Sequence, residues 1–311
     1  MTPAWWGMCE SDEFSLPKCI EAALGLANLH LMLSPLNELA VIGVTPSGTH
    51  FLHPLDRQGA PADVSHEGQY DLLGSMNDAV KRRALEVVES CDSDATNVIL
   101  AGAVLKALCY FLRRCRDLAP TRRYDDVALE QLDLSEASDF TDKISARILI
   151  LKAANDNASQ YLALMNAIFT AQKLHIPIDT CVIPLVPTAG YSATKVMERN
   201  CPPKLVGHSG LFQQAADLTG GIYVHIPRVT GLLQYLISVF LPSQSLRPRL
   251  LLPDSRSSGF SGGVDFRAAC FCHRRLIDIG YVCSVCLSVF CEFTPLCATC
   301  GTPFSLPPVQ T

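Results

Sequence analysis

The residues of this chain best suited to chemistry are four cysteines near its C-terminus, Cys283-Ser-Val-Cys286 and, after ten intervening residues, Cys297-Ala-Thr-Cys300. Two CxxC knuckles at this spacing place four thiolates tetrahedrally around one Zn²⁺, with the intervening loop folded back over the metal. Four thiolates close the coordination shell and leave no position for a catalytic water. Cys283, Cys286, Cys297 and Cys300 are therefore expected to hold a structural metal rather than a hydrolytic one. A redox CxxC would sit in a βαβ pattern, which this segment lacks. The module they tie together, residues 265–306, is only about 40 residues long, and a chain of that size rarely buries enough apolar surface to fold alone. Structural zinc supplies about 10–16 kcal/mol in such peptides, so ligation and folding are expected to be one event.

Of the 14 cysteines, seven fall between Cys270 and Cys300. The other seven are scattered, as expected of reduced, half-buried small hydrophobes in an intracellular protein. Cys270, Cys272 and His273 precede the knuckles and Cys291 lies between them. These four can be read as a second Zn²⁺ site, or as small buried thiols and a surface imidazole beside the first; the latter is the expected reading. A RING-type cross-brace needs eight ligands in a different order, which disfavours a ubiquitin ligase. Within 265–311, Asp265, Asp278 and Glu292 balance Arg267, Arg274 and Arg275. A module that grips nucleic acid by its phosphates carries a basic excess, so no autonomous nucleic-acid binding is expected and a protein partner is the better reading.

The elements that must position this module come from a longer segment. With 311 residues, 49% hydrophobic and 18% charged, and a net charge of −5, the chain has the material for one larger domain and a small appended one. Residues 1–241 alternate strand-like and helix-like patterns. Leu39–Val44, Arg147–Leu151, Ile178–Ile183 and Ile222–Ile226 are short, nearly continuous apolar runs, the signature of parallel strands covered on both faces. Tyr161, Leu164, Met165 and Ile168 follow helical spacing, as do Leu232, Leu233, Leu236, Ile237 and Phe240; Cys19–Leu31 and Leu100–Leu112 read as two further helices. The expected fold is α/β, a doubly wound and mostly parallel sheet. The charged stretch 113–142 reads as a solvated connection with room for a helical turn. Residues 184–210, rich in Pro and Gly, read as an insertion, and 242–264 as the interdomain linker. The N-terminus carries no export signal, and no apolar run approaches the length of a membrane span.

Enzyme-like patterns find no support. No GxGxxG or GxxxxGK[ST] follows a strand. Tyr191-Ser-Ala-Thr-Lys195 matches a dehydrogenase YxxxK pair but lies inside the insertion without a dinucleotide loop upstream. Gly207-His-Ser-Gly210 lacks the last glycine of a nucleophile elbow, since Leu211 stands there. Asp133-Leu-Ser-Glu-Ala does not complete the DxSxS of a metal-dependent adhesion site. His175 and His225 read as structural residues at element edges. No catalytic or organic-cofactor residue is expected.

The run Asp265-Phe-Arg-Ala-Ala-Cys-Phe-Cys-His273 with Ile279-Gly-Tyr-Val-Cys-Ser-Val-Cys-Leu287 resembles the C-terminal zinc finger of the Tfb4 family, the third subunit of the general transcription and repair factor TFIIH. The resemblance extends through Arg147–Ala154, Gln160-Tyr161, Met165-Asn166, Ala171-Gln172-Lys173, Gln213-Gln214, Thr219-Gly220-Gly221 and Leu232–Leu236, and fits Ala107–Tyr110 and Trp5-Trp6-Gly7. It implies a von Willebrand A-like α/β domain (1–241, with the insertion 184–210 where the family has a short connection), the linker 242–264, and a C4 zinc finger over 265–306. Cys283, Cys286, Cys297 and Cys300 would be the finger's ligands. Members of the family begin with an apolar strand ahead of Trp-Trp-Gly, and this chain begins Met1-Thr2-Pro3, so the expected sheet lacks its first, central strand. The resemblance further implies a non-catalytic subunit of the nuclear TFIIH core. It would act in RNA polymerase II transcription and nucleotide excision repair by docking to other core subunits, chiefly the sister subunit that also carries a von Willebrand A domain and zinc fingers. The rival readings are a zinc-bearing ubiquitin ligase and a free-standing DNA-binding zinc protein.

Overall fold

In the computed structural model of the chain, five consecutive buried residues, Ile178–Val182, form the middle strand of a three-stranded parallel sheet. The structure describes residues 16–54, 69–90, 98–118, 144–154, 160–183, 209–226, 229–251, 266–268, 270–273, 277–286 and 288–304. The chain divides into two compact units, Met1–Val264 and Asp265–Thr311. In order, the first contains α1 (Leu16–Leu33), β1 (Val41–Val44), β2 (Thr49–His53), α2 (Gln69–Glu89), α3 (Leu100–Leu118), β3 (Ile148–Lys152), α4 (Tyr161–Lys173), β4 (Ile178–Val182), α5 (Gly210–Thr219), β5 (Tyr223–His225) and α6 (Leu232–Tyr235). A π-helical turn, Leu236–Phe240, prolongs α6. The sheet order is β3-β4-β5, with Ile148 beside Ile178 and Thr180 beside Tyr223.

Alternation along β4 explains why it reads as unbroken apolar sequence. Successive side chains point to opposite faces, and here both faces are covered. Ile178 and Val182 pack with Val104 and Leu108 of α3, Leu164 and Ile168 of α4, and Phe212 of α5. Cys181 and Ile183 turn the other way, onto Cys19 of α1 and Leu232, Leu236 and Phe240 of the last helix. The expected α/β architecture with helices on both faces of a parallel sheet is what these contacts describe.

Three details differ from the sequence reading. The apolar run at Val41–Val44 is not a parallel strand: β1 pairs antiparallel with β2, through a turn closed by Thr45 N–H to Gly48 O (2.9 Å) and its reciprocal bond. The Pro46-Ser47-Gly48 punctuation supplies that turn. Helix α2, 21 residues long, was not anticipated; its Met76, Val80 and Ala84 pack on Leu24 of α1 and Leu52 of β2. Helix α3 runs six residues past Leu112 into the charged stretch, with Cys115 buried on its inner side and Arg114 reaching Glu38 through two hydrogen bonds (2.6 and 2.9 Å). Helix α5 begins where the insertion was expected to end. The remainder of that insertion and of the 113–142 connection lies outside the described residues.

Local signals fix α5 and its exit. Ser209, in extended conformation, caps the helix by accepting from Phe212 N–H (3.3 Å). Gly220 takes the left-handed conformation (φ 71°) that ends it, and Gly221 N–H returns to Ala216 O (2.8 Å). Gly221 then enters β5 with its Cα against the backbone of β4: a Cβ there would sit on the carbonyl group of Ile178 and 3.2 Å from Asp179 N. Gly221→Ala is expected to cost at least about 1–3 kcal/mol, because backbone rather than a flexible side chain must give way. A denaturation midpoint unchanged by the substitution would contradict this packing.

Candidate metal centre

In the second unit, two-residue strands β6 (Tyr281–Val282) and β7 (Val289–Phe290) pair antiparallel, Tyr281 opposite Phe290 and Val282 opposite Val289. The turn that joins them is the first knuckle: Cys283 N–H donates to Ser288 O (2.9 Å). The second knuckle repeats it, with Cys297 N–H to Thr302 O (2.9 Å) and Gly301 N–H to Cys297 O (2.8 Å). Gly301 adopts φ 72°, a left-handed conformation that a side chain would strain. Each knuckle therefore curls its two cysteines toward the same side of the chain.

The outcome is a convergence of sulfurs. The Sγ atoms of Cys283, Cys286, Cys297 and Cys300 all lie within 4.8 Å of one another. Cys286 and Cys297 are 3.5 Å apart, and Cys283 and Cys300 3.7 Å. A tetrahedron with Zn–S bonds of about 2.3 Å has edges of about 3.8 Å, so both the donor set and the spacing fit a metal ion. Cys283 and Cys297 are 1% and 2% exposed; Cys286 is half-buried and Cys300 lies at the surface.

Two hydroxyls complete the site, and the sequence reading passed over them. Ser288 Oγ stands 3.1 Å from Cys286 Sγ, and Thr302 Oγ1 the same distance from Cys300 Sγ. A hydroxyl that donates to a thiolate favours the ionised form. Ser288, chiefly through its side chain, holds the Cys286 thiol down at about 6, and Thr302 lowers that of Cys300. Metal binding needs the thiolate, so both hydroxyls favour the form of these cysteines that could ligate a metal. The signal was present: each CxxC is followed two residues later by Ser or Thr.

The other candidate ligands also come together. The donor atoms of Cys270, Cys272, His273 and Cys291 lie within 4.8 Å of one another. Cys272 Sγ is 3.3 Å, and His273 Nδ1 3.1 Å, from Cys291 Sγ. Along the chain the two groups alternate: Cys270, Cys272 and His273; then Cys283 and Cys286; then Cys291; then Cys297 and Cys300. This is the interleaving of a cross-brace, which the ligand order alone did not disclose, although the split is three, two, one and two rather than four pairs. The apolar remainder is small. Phe290 is buried with Cys283 and Cys297, and Phe271 and Phe304 lean on it at 6.4 Å between ring centroids.

None of the enzyme-like patterns becomes a site among the described residues. Ser209 is buried and committed to capping α5, so it cannot serve as an elbow nucleophile. His175 is a turn residue with φ 53° between α4 and β4. Tyr191-Ser-Ala-Thr-Lys195 and Asp133-Leu-Ser-Glu-Ala lie outside the described residues.

Comparison with known proteins covers nearly the whole chain. The profile of the family Transcription factor Tfb4 matches residues 1–191 and 191–301. The Schizosaccharomyces pombe general transcription and DNA repair factor IIH subunit tfb4 is 32% identical over 311 residues, spanning 99% of this chain and 86% of the relative. General transcription factor IIH subunit 3 of Dictyostelium discoideum is 31% identical, spanning 93% of this chain and 68% of the relative. The Arabidopsis thaliana general transcription and DNA repair factor IIH subunit TFB4 is 30% identical, with coverage of 97% and 85%. In structure, the crystallographic N-terminal domain of TFIIH p34 superposes with a TM-score of 0.54 at 23% identity, covering 76% of this chain and 92% of that domain, a likeness of fold.

Proposed function

The chain belongs to the Tfb4 family, and from that membership we propose that it is a non-catalytic subunit of general transcription and DNA repair factor IIH, acting in transcription and DNA repair. The observation that carries this reading is the near full-length relationship to proteins named as subunits of that factor. The first unit would be a von Willebrand A-like domain over residues 1–241, and the expected linker 242–264 would begin as chain packed on that domain, through Arg247 to Asp179, rather than as a free connection. Residues 265–306 would be a finger whose Cys283, Cys286, Cys297 and Cys300 hold one structural Zn²⁺. Four thiolates around one ion leave it no open position, which suits a scaffold rather than a hydrolase. The even charge of residues 265–311 suits a protein partner better than nucleic acid, and no helix among the described residues is long and apolar enough to cross a membrane. The partners would be the other core subunits, chiefly the sister von Willebrand A and zinc-finger subunit, in the nucleus.

Affinity purification of the tagged chain from nuclear extract tests the assignment. TFIIH core subunits are expected to co-purify, with recovery reduced by the Cys283→Ser/Cys286→Ser substitution. Equal recovery would move the main contact to the α/β unit. Soluble chain that brings down no TFIIH subunit would overturn the proposal.

A further inference from the structure

We propose that Cys270, Cys272, His273 and Cys291 bind a second Zn²⁺, so that residues 266–304 fold as a two-metal cross-brace rather than around a single four-cysteine site. Three cysteines and one histidine are a recognised structural zinc set, with the imidazole binding through one ring nitrogen. Here Nδ1 is the nitrogen that faces Cys291 Sγ, at 3.1 Å. The sulfur–sulfur distance of 3.3 Å between Cys272 and Cys291 is far beyond the roughly 2.05 Å of a disulfide. The pair is therefore unbonded, and its atoms stand a few tenths of an ångström inside the edge of a zinc tetrahedron.

The hairpin explains how one small unit can serve two ions. Its turn end carries Cys283 and Cys286 to the four-cysteine site, and its open end carries Cys291, directly after β7, to the other. The segment with Cys270, Cys272 and His273 is fastened to the same strand by Phe271 N–H to Val289 O (2.8 Å). Gly280, at the open end opposite Cys291, allows the close approach: a Cβ there would lie 2.6 Å from Ile277 Cδ1 and 2.9 Å from Val289 Cγ1.

Size supplies the second argument. Among the described residues the apolar layer that meets residues 270–273 is thin, two-residue strands with Phe271 leaning on Phe290 beside buried cysteines. Yet Cys270 is 1% exposed. A divalent cation held by the four gathered donors gives the chain N-terminal to the knuckles an anchor of its own.

The inference rests on reading the four-cysteine cluster as a metal site, and the two are separable by counting. The full chain, purified with zinc present, is expected to hold two Zn²⁺ per molecule by elemental analysis. Cys291→Ser should leave one, and Cys297→Ser should remove at least the other. With Co²⁺ in place of zinc, the chain should show two tetrahedral ligand-field signatures, S₄ and S₃N. His273→Cys should keep two ions while shifting the S₃N bands toward those of S₄. One ion per wild-type chain, lost on Cys297→Ser and indifferent to Cys291→Ser, would overturn the second site and leave the first intact. A cobalt spectrum unchanged by His273→Cys would remove His273 from the ligand set. No bound metal at all would overturn both readings.

Discussion

Cys297→Ser in the full chain is expected to abolish the backbone amide protection of residues 281–303 while leaving that of β4 and β5 intact. The thiol is 2% exposed and lies in a core that otherwise consists of Cys283 and Phe290. Serine there removes a thiolate ligand and leaves a hydroxyl where no polar partner replaces the metal. If ligation contributes about 10–16 kcal/mol, the aromatic packing of a unit this small offers nothing of comparable size, and the second proposed ion depends on the same hairpin. The reporting amides are Cys283 N–H on Ser288 O, Gly301 N–H on Cys297 O, and Cys297 N–H on Thr302 O. The control amides are Thr180 N–H on Ile222 O and Ile226 N–H on Val182 O. Hydrogen exchange read by mass spectrometry resolves the two sets. A chelator strong enough to strip the metal should reproduce the pattern in the unsubstituted chain. Protection of 281–303 that survives both treatments would mean the unit folds on its aromatic packing, and the structural-metal reading would fail.

That the sequence disclosed the sulfur site and the parallel strands so readily has a physical reason. Both are encoded by short-range order. A CxxC is a knuckle because four residues suffice to make one, and Ile178–Ile183 is apolar throughout because both faces of β4 are covered. What the sequence hid depends on relations between segments or on amphipathic surfaces. In α2, Leu73, Met76, Val80, Ala84 and Val87 keep helical spacing, but the charged residues between them dilute the signal, and only Leu24 and Leu52 show that this stripe has something to cover. The charges after Leu112 looked like a solvated connection; they are the outer face of α3, whose inner side continues through Cys115. The alternation of the two ligand groups likewise depends on the hairpin, since the order of cysteines along the chain does not say which will meet.

The buried carboxylate in the middle strand was in plain view in Ile178-Asp-Thr-Cys-Val-Ile183, because an aspartate in a doubly covered strand must have a partner. Asp179 is 1% exposed; its Oδ1 accepts from Ile222 N–H (2.9 Å) and from Arg247 Nη1 (2.8 Å), while Oδ2 takes Arg247 Nη2. Arg247 comes from a 3₁₀ turn, Arg247–Arg249, so a bidentate pair ties the chain beyond the last helix to β4. Arg147 makes a second tie, donating to the carbonyls of Leu241 (3.1 Å) and Pro242 (2.9 Å), where a helix end leaves acceptors unpaired and favours a cation. Asp179→Ala is expected to destabilise the α/β unit by about 3–5 kcal/mol, since it strands a guanidinium that is 8% exposed and leaves Ile222 N–H without its acceptor. Arg247→Met alone should cost a comparable amount through the unpaired carboxylate. The double variant Asp179→Ala/Arg247→Met should lose much less than the two singles added, because neither charge remains to be solvated. Urea denaturation of the four chains closes the cycle. Additive losses would mean that the two groups act separately, and that something other than this ion pair holds residues 242–251 to the sheet.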